Sequence, residues 1–417
     1  MKISSGYLWR KPKRFEVGKS SMTLDVVTRY VSTGLSFLCL LLLARIMDLE
    51  NFAIFQVGYS FAGLAIWLGD LGLGINLIRY LAREDFETVK QIWSLRLITL
   101  SSTVLIFSYL GSQLFSNFHL LFFLTAFLDL ASDSHLSLRH VAASKYFDLV
   151  IQPIKRGVQL LGLLVVITSH PSDPNLYILA ALVLPSILLI VIDSMRFGGL
   201  KVGNIKVHLG NSMARWLQSG GTILTNLDNV ILGASSQFIA IAILSITKKI
   251  FNAFSIIGTA LFPRVLFAVT EKGKFEYTTL KSILKTILLV CLPTIVIVVY
   301  LPVFFSMLWE TDLSGSQLIL SRTFMLLLPV YLLCLGLNSV LLGLDLNFQA
   351  AIATYSSGLL YLGILFFSLL ELNIYNVIAI ALVVHAFVWM FAELFFLHRT
   401  NSLNLLEMYR NRSLEIK

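Results

Sequence analysis

The sequence predicts an all-α integral membrane protein, with about twelve transmembrane helices in two six-helix lobes around a central cavity. Three observations carry this prediction. Of 417 residues, 57% are hydrophobic and 13% charged, against about half and about a quarter in an average soluble domain. So few charged side chains cannot coat a soluble chain of this length. Windows of about 19 residues find twelve apolar stretches long enough to cross a bilayer. The basic residues, finally, gather in alternate connections between those stretches.

The elements follow in chain order. Residues 1–23 form a basic tail in which Lys2, Arg10, Lys11, Lys13, Arg14 and Lys19 accompany Glu16. With no early apolar run it lacks the form of a cleavable signal peptide, and it reads as a cytoplasmic anchor near anionic lipid. Spans are expected near 24–44, 52–71, 97–116, 119–138, 151–169 and 175–195, making an N-lobe over 24–195. The segment 196–212, with Gly198, Gly199, Gly203 and Gly210, is the expected cytoplasmic linker. Spans near 213–233, 238–262, 283–301, 317–343, 350–370 and 377–397 make a C-lobe over 213–397, and 398–417 is a second cytoplasmic tail. The fourth and seventh spans are the least secure, because they carry Asp129 with Asp133 and Asp228 respectively. Pro185, Pro293 and Pro329 lie within spans and are expected to break them.

Charge fixes the expected orientation. Of the 32 Lys and Arg residues, all but Arg29, Arg45, Lys248, Lys249 and Arg322 fall in the tails or in connections on one side of the membrane. Arg96, Lys155 and Arg156 are counted among those connections. Removing any span would put several basic loops on the wrong side, so both termini are expected to be cytoplasmic. The opposite connections are short, the longest being 302–316. A membrane enzyme that polymerises sugars at the outer face needs an external domain for its site, and this chain has none. Cys39, Cys291 and Cys334 sit in apolar runs and suggest neither disulfide nor metal framework. The glycine-rich run Gly69 to Gly74 lacks the Lys-Ser/Thr of a phosphate loop and is better explained by close helix packing. No zinc spacing or nucleophile–base pair is present, and no cofactor or nucleic-acid partner is expected.

The halves enter from the same side, as parallel repeats do in many transporters. Within them, Leu43-Ala44-Arg45, Asn51-Phe52-Ala53-Ile54-Phe55, Gly69-Asp70-Leu71-Gly72-Leu73-Gly74 and Ile78-Arg79-Tyr80-Leu81-Ala82-Arg83 carry a family likeness. They resemble the N-terminal signature of polysaccharide biosynthesis flippases, the lipid-linked oligosaccharide translocases of the multidrug/oligosaccharidyl-lipid/polysaccharide exporter superfamily. Leu227-Asp228-Asn229-Val230-Ile231-Leu232-Gly233 and Ala260-Leu261-Phe262-Pro263-Arg264 resemble later helix motifs of the same family. The sequence departs from the pattern at Met47-Asp48-Leu49-Glu50, which lacks the usual Gly-Pro pair, and the C-terminal third has no distinctive motif. The resemblance implies a MATE-like fold in a bacterial cytoplasmic (inner) membrane. The substrate it implies is an undecaprenyl-diphosphate-linked glycan, as in O-antigen, lipopolysaccharide or similar surface polysaccharide synthesis. Implied partners are membrane lipid and the polymerase and chain-length proteins of that pathway.

Charges inside spans give the candidate sites. A cation at a helix centre costs about 2.5–3.5 kcal/mol, so Arg29, Lys248, Lys249 and Arg322 are expected to line a water-filled cavity and bind an anionic substrate. Arg29 has Asp25 one turn earlier as an alternative partner. Lys248 and Lys249 point about 100° apart, so one faces a lumen while the other pairs with an acid such as Asp228. Arg322 lies near enough to a span end to snorkel. Asp228, Asp70 and Glu393 are the candidates for ion coupling. The competing reading is that these acids, with Asp129, Asp133 and Asp193, neutralise the cations structurally, and Asp70 reads equally as a helix-end cap. His385 serves either as a proton relay or as a packing residue. The expected function is a flippase that moves a polyprenyl-diphosphate-linked oligosaccharide to the outer leaflet by alternating access. A drug or metabolite antiporter of the same superfamily and a membrane oligosaccharide polymerase are the alternatives.

Overall fold

The computed structural model describes residues 19–82, 85–114, 119–134, 147–169, 174–197, 226–272, 274–309, 313–368 and 374–400, with Leu209, Trp216, Ile223 and Leu224. Every regular element among them is a helix. Nine are long and apolar enough to cross a membrane, and Tyr30–Ile46 is a shorter apolar helix. The protein is a multi-pass membrane protein. It divides into two compact units, Met1–Trp216 and Leu217–Lys417.

The first unit contains α1 (Lys19–Ile46), α2 (Leu49–Asp70), α3 (Leu73–Ala82), α4 (Phe86–Leu114), α5 (Leu120–Ser134), α6 (Phe147–Ser169) and α7 (Pro174–Phe197). Asp48 starts α2, its carboxylate accepting the Asn51 backbone N–H at 2.7 Å. This N-cap does the work of the missing Gly-Pro pair. The helix ends through Leu71 and Gly72, both at positive φ. That reversal lets α3, which the sequence did not announce, turn back on α4. Leu73 and Leu77, one turn apart, bury against Val89, Ile92 and Trp93. A Cβ at Gly69 would lie 2.5 Å from the Thr103 hydroxyl, so α2 meets α4 as closely as the glycine-rich run implies. Elsewhere α1 packs on α6, α2 on α5, and α7 on both α5 and α6.

The second unit contains α8 (Leu227–Ala234), α9 (Phe238–Lys272), α10 (Tyr277–Trp309), α11 (Gly315–Leu326), α12 (Leu328–Gly343), α13 (Asn347–Ser368) and α14 (Ile374–Arg399). Helix α8 is the described end of the seventh expected span. Two junctions share one design. Ser236 and Asp345 adopt left-handed φ of 56° and 60°. In each case the next residue donates its N–H back to the start of the turn, Gln237 to Leu232 and Leu346 to Leu341, both at 2.9 Å. This is the Schellman arrangement. The tenth expected span is two helices. Pro329 lacks an N–H for the Met325 carbonyl, and the chain breaks at Leu327. Pro185 and Pro293 lie within the continuous α7 and α10, so the expected breaks there do not occur.

Apolar exposure matches a lipid environment. Leu288, Leu289, Leu292 and Val299 of α10 are each more than 60% exposed. Only 17% of the apolar window of that helix is buried within the protein. Such a surface is solvated by hydrocarbon and not by water.

Candidate functional site

The second unit holds a cavity of about 220 Å³ lined by α8, α9, α13, α14 and the α11–α12 break. At its base Asp228 is fully buried. The Lys248 ammonium reaches both of its oxygens, at 2.7 and 2.6 Å. The Asn229 backbone N–H donates to Oδ1 at 2.7 Å and the Tyr361 hydroxyl to Oδ2 at 2.8 Å. Four hydrogen bonds from three groups fill the four lone-pair sites of one carboxylate. Asp228 thus stands in the first turn of a short helix, and α9 brings Lys248 across to it. The wall opposite is aromatic: Phe251 packs edge-on to Phe324 and Tyr331, at centroid distances of 4.8 and 5.0 Å. His385 completes the lining, 8% exposed, and its Nδ1 has no hydrogen-bond partner among the described residues.

The other candidate residues are not gathered there. Lys249 lies beside Lys248 on α9, half-buried, and is not among the described residues that line the cavity. Arg322 is exposed on α11 and does not line the cavity. The Arg29 side chain lies outside the described residues. Glu393 sits two turns along α14 from His385, fully buried; its Oε1 accepts the Trp389 indole N–H at 2.7 Å, while Oε2 has no partner among the described residues. Asp70 pairs with Arg96 and also accepts the Gly74 backbone N–H at 3.3 Å. It therefore ties the end of α2 to α3 and α4. The geometry at Asp70 is that of a cap with an ion pair.

A second polar centre lies inside the first unit, where the sequence reading counts the cations among the connections. Lys155 and Arg156 are buried residues of α6, and Arg96 of α4 is 2% exposed, so these three are not connection cations. Asp129 and Asp133, one turn apart on α5, present one acidic face. The Lys155 ammonium lies 2.7 Å from Asp129 and 2.8 Å from Asp133. The Arg156 guanidinium holds Asp129 at 2.9 Å and also pairs with Asp133. Gln159 and Ser186 donate to Asp129 at 2.8 and 3.2 Å. Two acids and two bases cancel within a hydrogen-bonded network, which is what makes their burial tolerable. The clue in the sequence was the spacing: two carboxylates at i and i+4 in one span, and adjacent cations near the start of the next.

Comparison with known proteins bears on both units. Residues 21–139 match the family model described as polysaccharide biosynthesis protein, and the resemblance read from the N-terminal motifs is borne out over that stretch. The structure is similar to an inward-facing multidrug resistance MATE family transporter of the MOP superfamily. The TM-score is 0.65 at 13% identity, over 89% of this chain and 96% of that one. It is also similar to the lipid II flippase MurJ in an inward closed conformation, with a TM-score of 0.57 at 12% identity, over 89% and 87% of the chains. A Vibrio cholerae MATE transporter gives a TM-score of 0.51 at 13% identity, over 91% and 95%. The all-α, MATE-like fold expected from the sequence is thereby established. No curated protein matches the sequence.

Proposed function

We propose that this protein is a flippase that carries a polyprenyl-diphosphate-linked oligosaccharide from the cytoplasmic to the outer leaflet of a bacterial inner membrane. The observation that carries the reading is the match of residues 21–139 to a polysaccharide biosynthesis family, on a chain folded like superfamily transporters. The MurJ likeness lends support, since that protein's substrate is named as lipid II. The chain acts in this reading as a carrier, as the transporters of similar fold do. In this reading the head group crosses by alternating access while the lipid tail stays in the bilayer. Arg29, Lys249 and Arg322 are the cations assigned to the diphosphate, with the O-antigen type of repeat unit as its cargo.

The test uses the full chain in proteoliposomes loaded with a polyprenyl-diphosphate-linked oligosaccharide carrying a fluorescent sugar. Its appearance in the outer leaflet, read by an impermeant quencher, is expected to be faster than in protein-free vesicles. Arg29→Ala and Lys249→Ala are expected to slow it while inserting normally. An unaccelerated rate with the parent protein overturns the flippase reading. The multidrug MATE likeness supports a second reading, drug or metabolite antiport. Ethidium accumulation by the same vesicles, with no movement of the lipid-linked sugar, would establish that reading instead.

A further inference from the structure

We propose that the cavity of the second unit is a binding site for one sugar ring of the cargo, and that it excludes the diphosphate. This rests on the flippase reading for the source of the sugar, although the chemistry of the cavity stands on its own. Among the described residues that line it, the charged groups are Lys248 and Asp228, which pair with each other. A diphosphate placed here would meet a cation already saturating its own counter-ion. It would then remain a buried charge without a partner, or expose Asp228 as one. The ligand that fits is uncharged.

It is also not a plain hydrocarbon. An acyl or prenyl chain filling the cavity would set hydrocarbon against the Lys248–Asp228 pair, the Asn226 and Asn252 amides and the unpartnered Nδ1 of His385. A pyranose answers both constraints. One face is a patch of C–H groups that packs on the aromatic wall of Phe251, Phe324 and Tyr331. Its rim carries hydroxyls, each of which is donor and acceptor at once. The Ser357 backbone carbonyl already takes the ring N–H of His385, which leaves Nδ1 as an acceptor for a sugar hydroxyl. Size agrees as well. A cavity of about 220 Å³ has room for a single ring. The site reads the identity of one sugar, and the rest of the glycan lies beyond it.

The probe is the lipid-free oligosaccharide released by mild acid from the host's own polyprenyl-diphosphate carrier. Its binding to the purified full chain in detergent is followed by saturation-transfer NMR and calorimetry, with inorganic pyrophosphate as the comparison. We expect the oligosaccharide to bind, and His385→Ala and Phe251→Leu each to weaken it by about tenfold. His385→Gln, which keeps a hydrogen-bonding group, and Phe251→Tyr, which keeps the ring, are expected to retain most of the affinity. Pyrophosphate affinity is expected to be the same in all four variants. Parent protein that does not bind the oligosaccharide, or variants that lose pyrophosphate and oligosaccharide together, overturn the proposal. Because binding is read apart from transport, oligosaccharide affinity that depends on His385 and Phe251 in a protein that moves no lipid-linked sugar would sink the flippase reading and leave the sugar site standing.

Discussion

Lys248 and Asp228 were separate candidates in the sequence, one for an anionic substrate and one for a coupling ion, and in the structure each is the other's partner. That one of the two adjacent lysines pairs with Asp228 was already an alternative in the sequence, and the fold shows that Lys248 is the one. Breaking such a pair leaves a buried charge uncompensated and costs about 3–5 kcal/mol, whereas replacing both members with apolar groups is close to neutral. Lys248→Met alone or Asp228→Leu alone should therefore lower the thermal midpoint in detergent sharply, and the double replacement should recover most of the loss. Additive losses in the double variant would show that the two side chains act independently. Tyr361, Phe251 and Gln159 were not foreseen for a different reason. Tyrosine, phenylalanine and glutamine are ordinary in spans, and only the fold shows that Tyr361 completes the Asp228 carboxylate and Gln159 the Asp129 one. Lys155 and Arg156 were counted with the connection cations although they fall within the expected span 151–169, and Asp129 and Asp133 make it favourable for the helix to carry them inside.

At the scale of elements, the long apolar helices were legible and the places where helices meet were not. Hydropathy reports length and lipid contact, which is why α10, largely lipid-facing, stands out in the sequence. Short α3 is hidden because its apolar residues recur over only ten positions, whereas the break at Leu327 was legible from Pro329. Packing depends on small residues whose importance lies in their neighbours. A Cβ at Gly343 on α12 would sit 2.8 Å from the Val269 Cβ on α9, while at Gly157 on α6 it would meet nothing within 4 Å. Gly343→Ala must push two backbones apart and should destabilise the protein by about 1–3 kcal/mol. Gly157→Ala gains helix propensity, up to about 1 kcal/mol, with no clash. Thermal unfolding of the two variants in detergent should move in opposite directions, and a loss at Gly157 equal to that at Gly343 would show that close packing is not what Gly343 provides.

For the whole molecule, the open quantity is which end of each helix faces the cytoplasm, and two matched turns give access to it. Ser236 and Asp345 are both exposed, both left-handed, and both at Schellman junctions between consecutive helices. Their local chemistry toward a thiol reagent should be nearly the same once each is cysteine. The native cysteines contribute little background, since Cys39 and Cys334 are buried and Cys291 is half-buried. The twelve-span reading with basic connections inside puts residue 236 outside, after the seventh span, and residue 345 inside, after the tenth. Ser236→Cys should then react with a membrane-impermeant maleimide in intact cells, whereas Asp345→Cys should react only after permeabilisation. The orientation rests on net segregation of charge, and moving Arg96, Lys155 and Arg156 from connections into the helices leaves basic residues such as Arg79, Lys90, Arg196 and Lys274 on the same side. The prediction therefore survives the correction to those three residues. Labelling of both positions in intact cells would remove the odd number of crossings between them that separates inside from outside, and with it the pairing of helices on which two six-helix lobes depend.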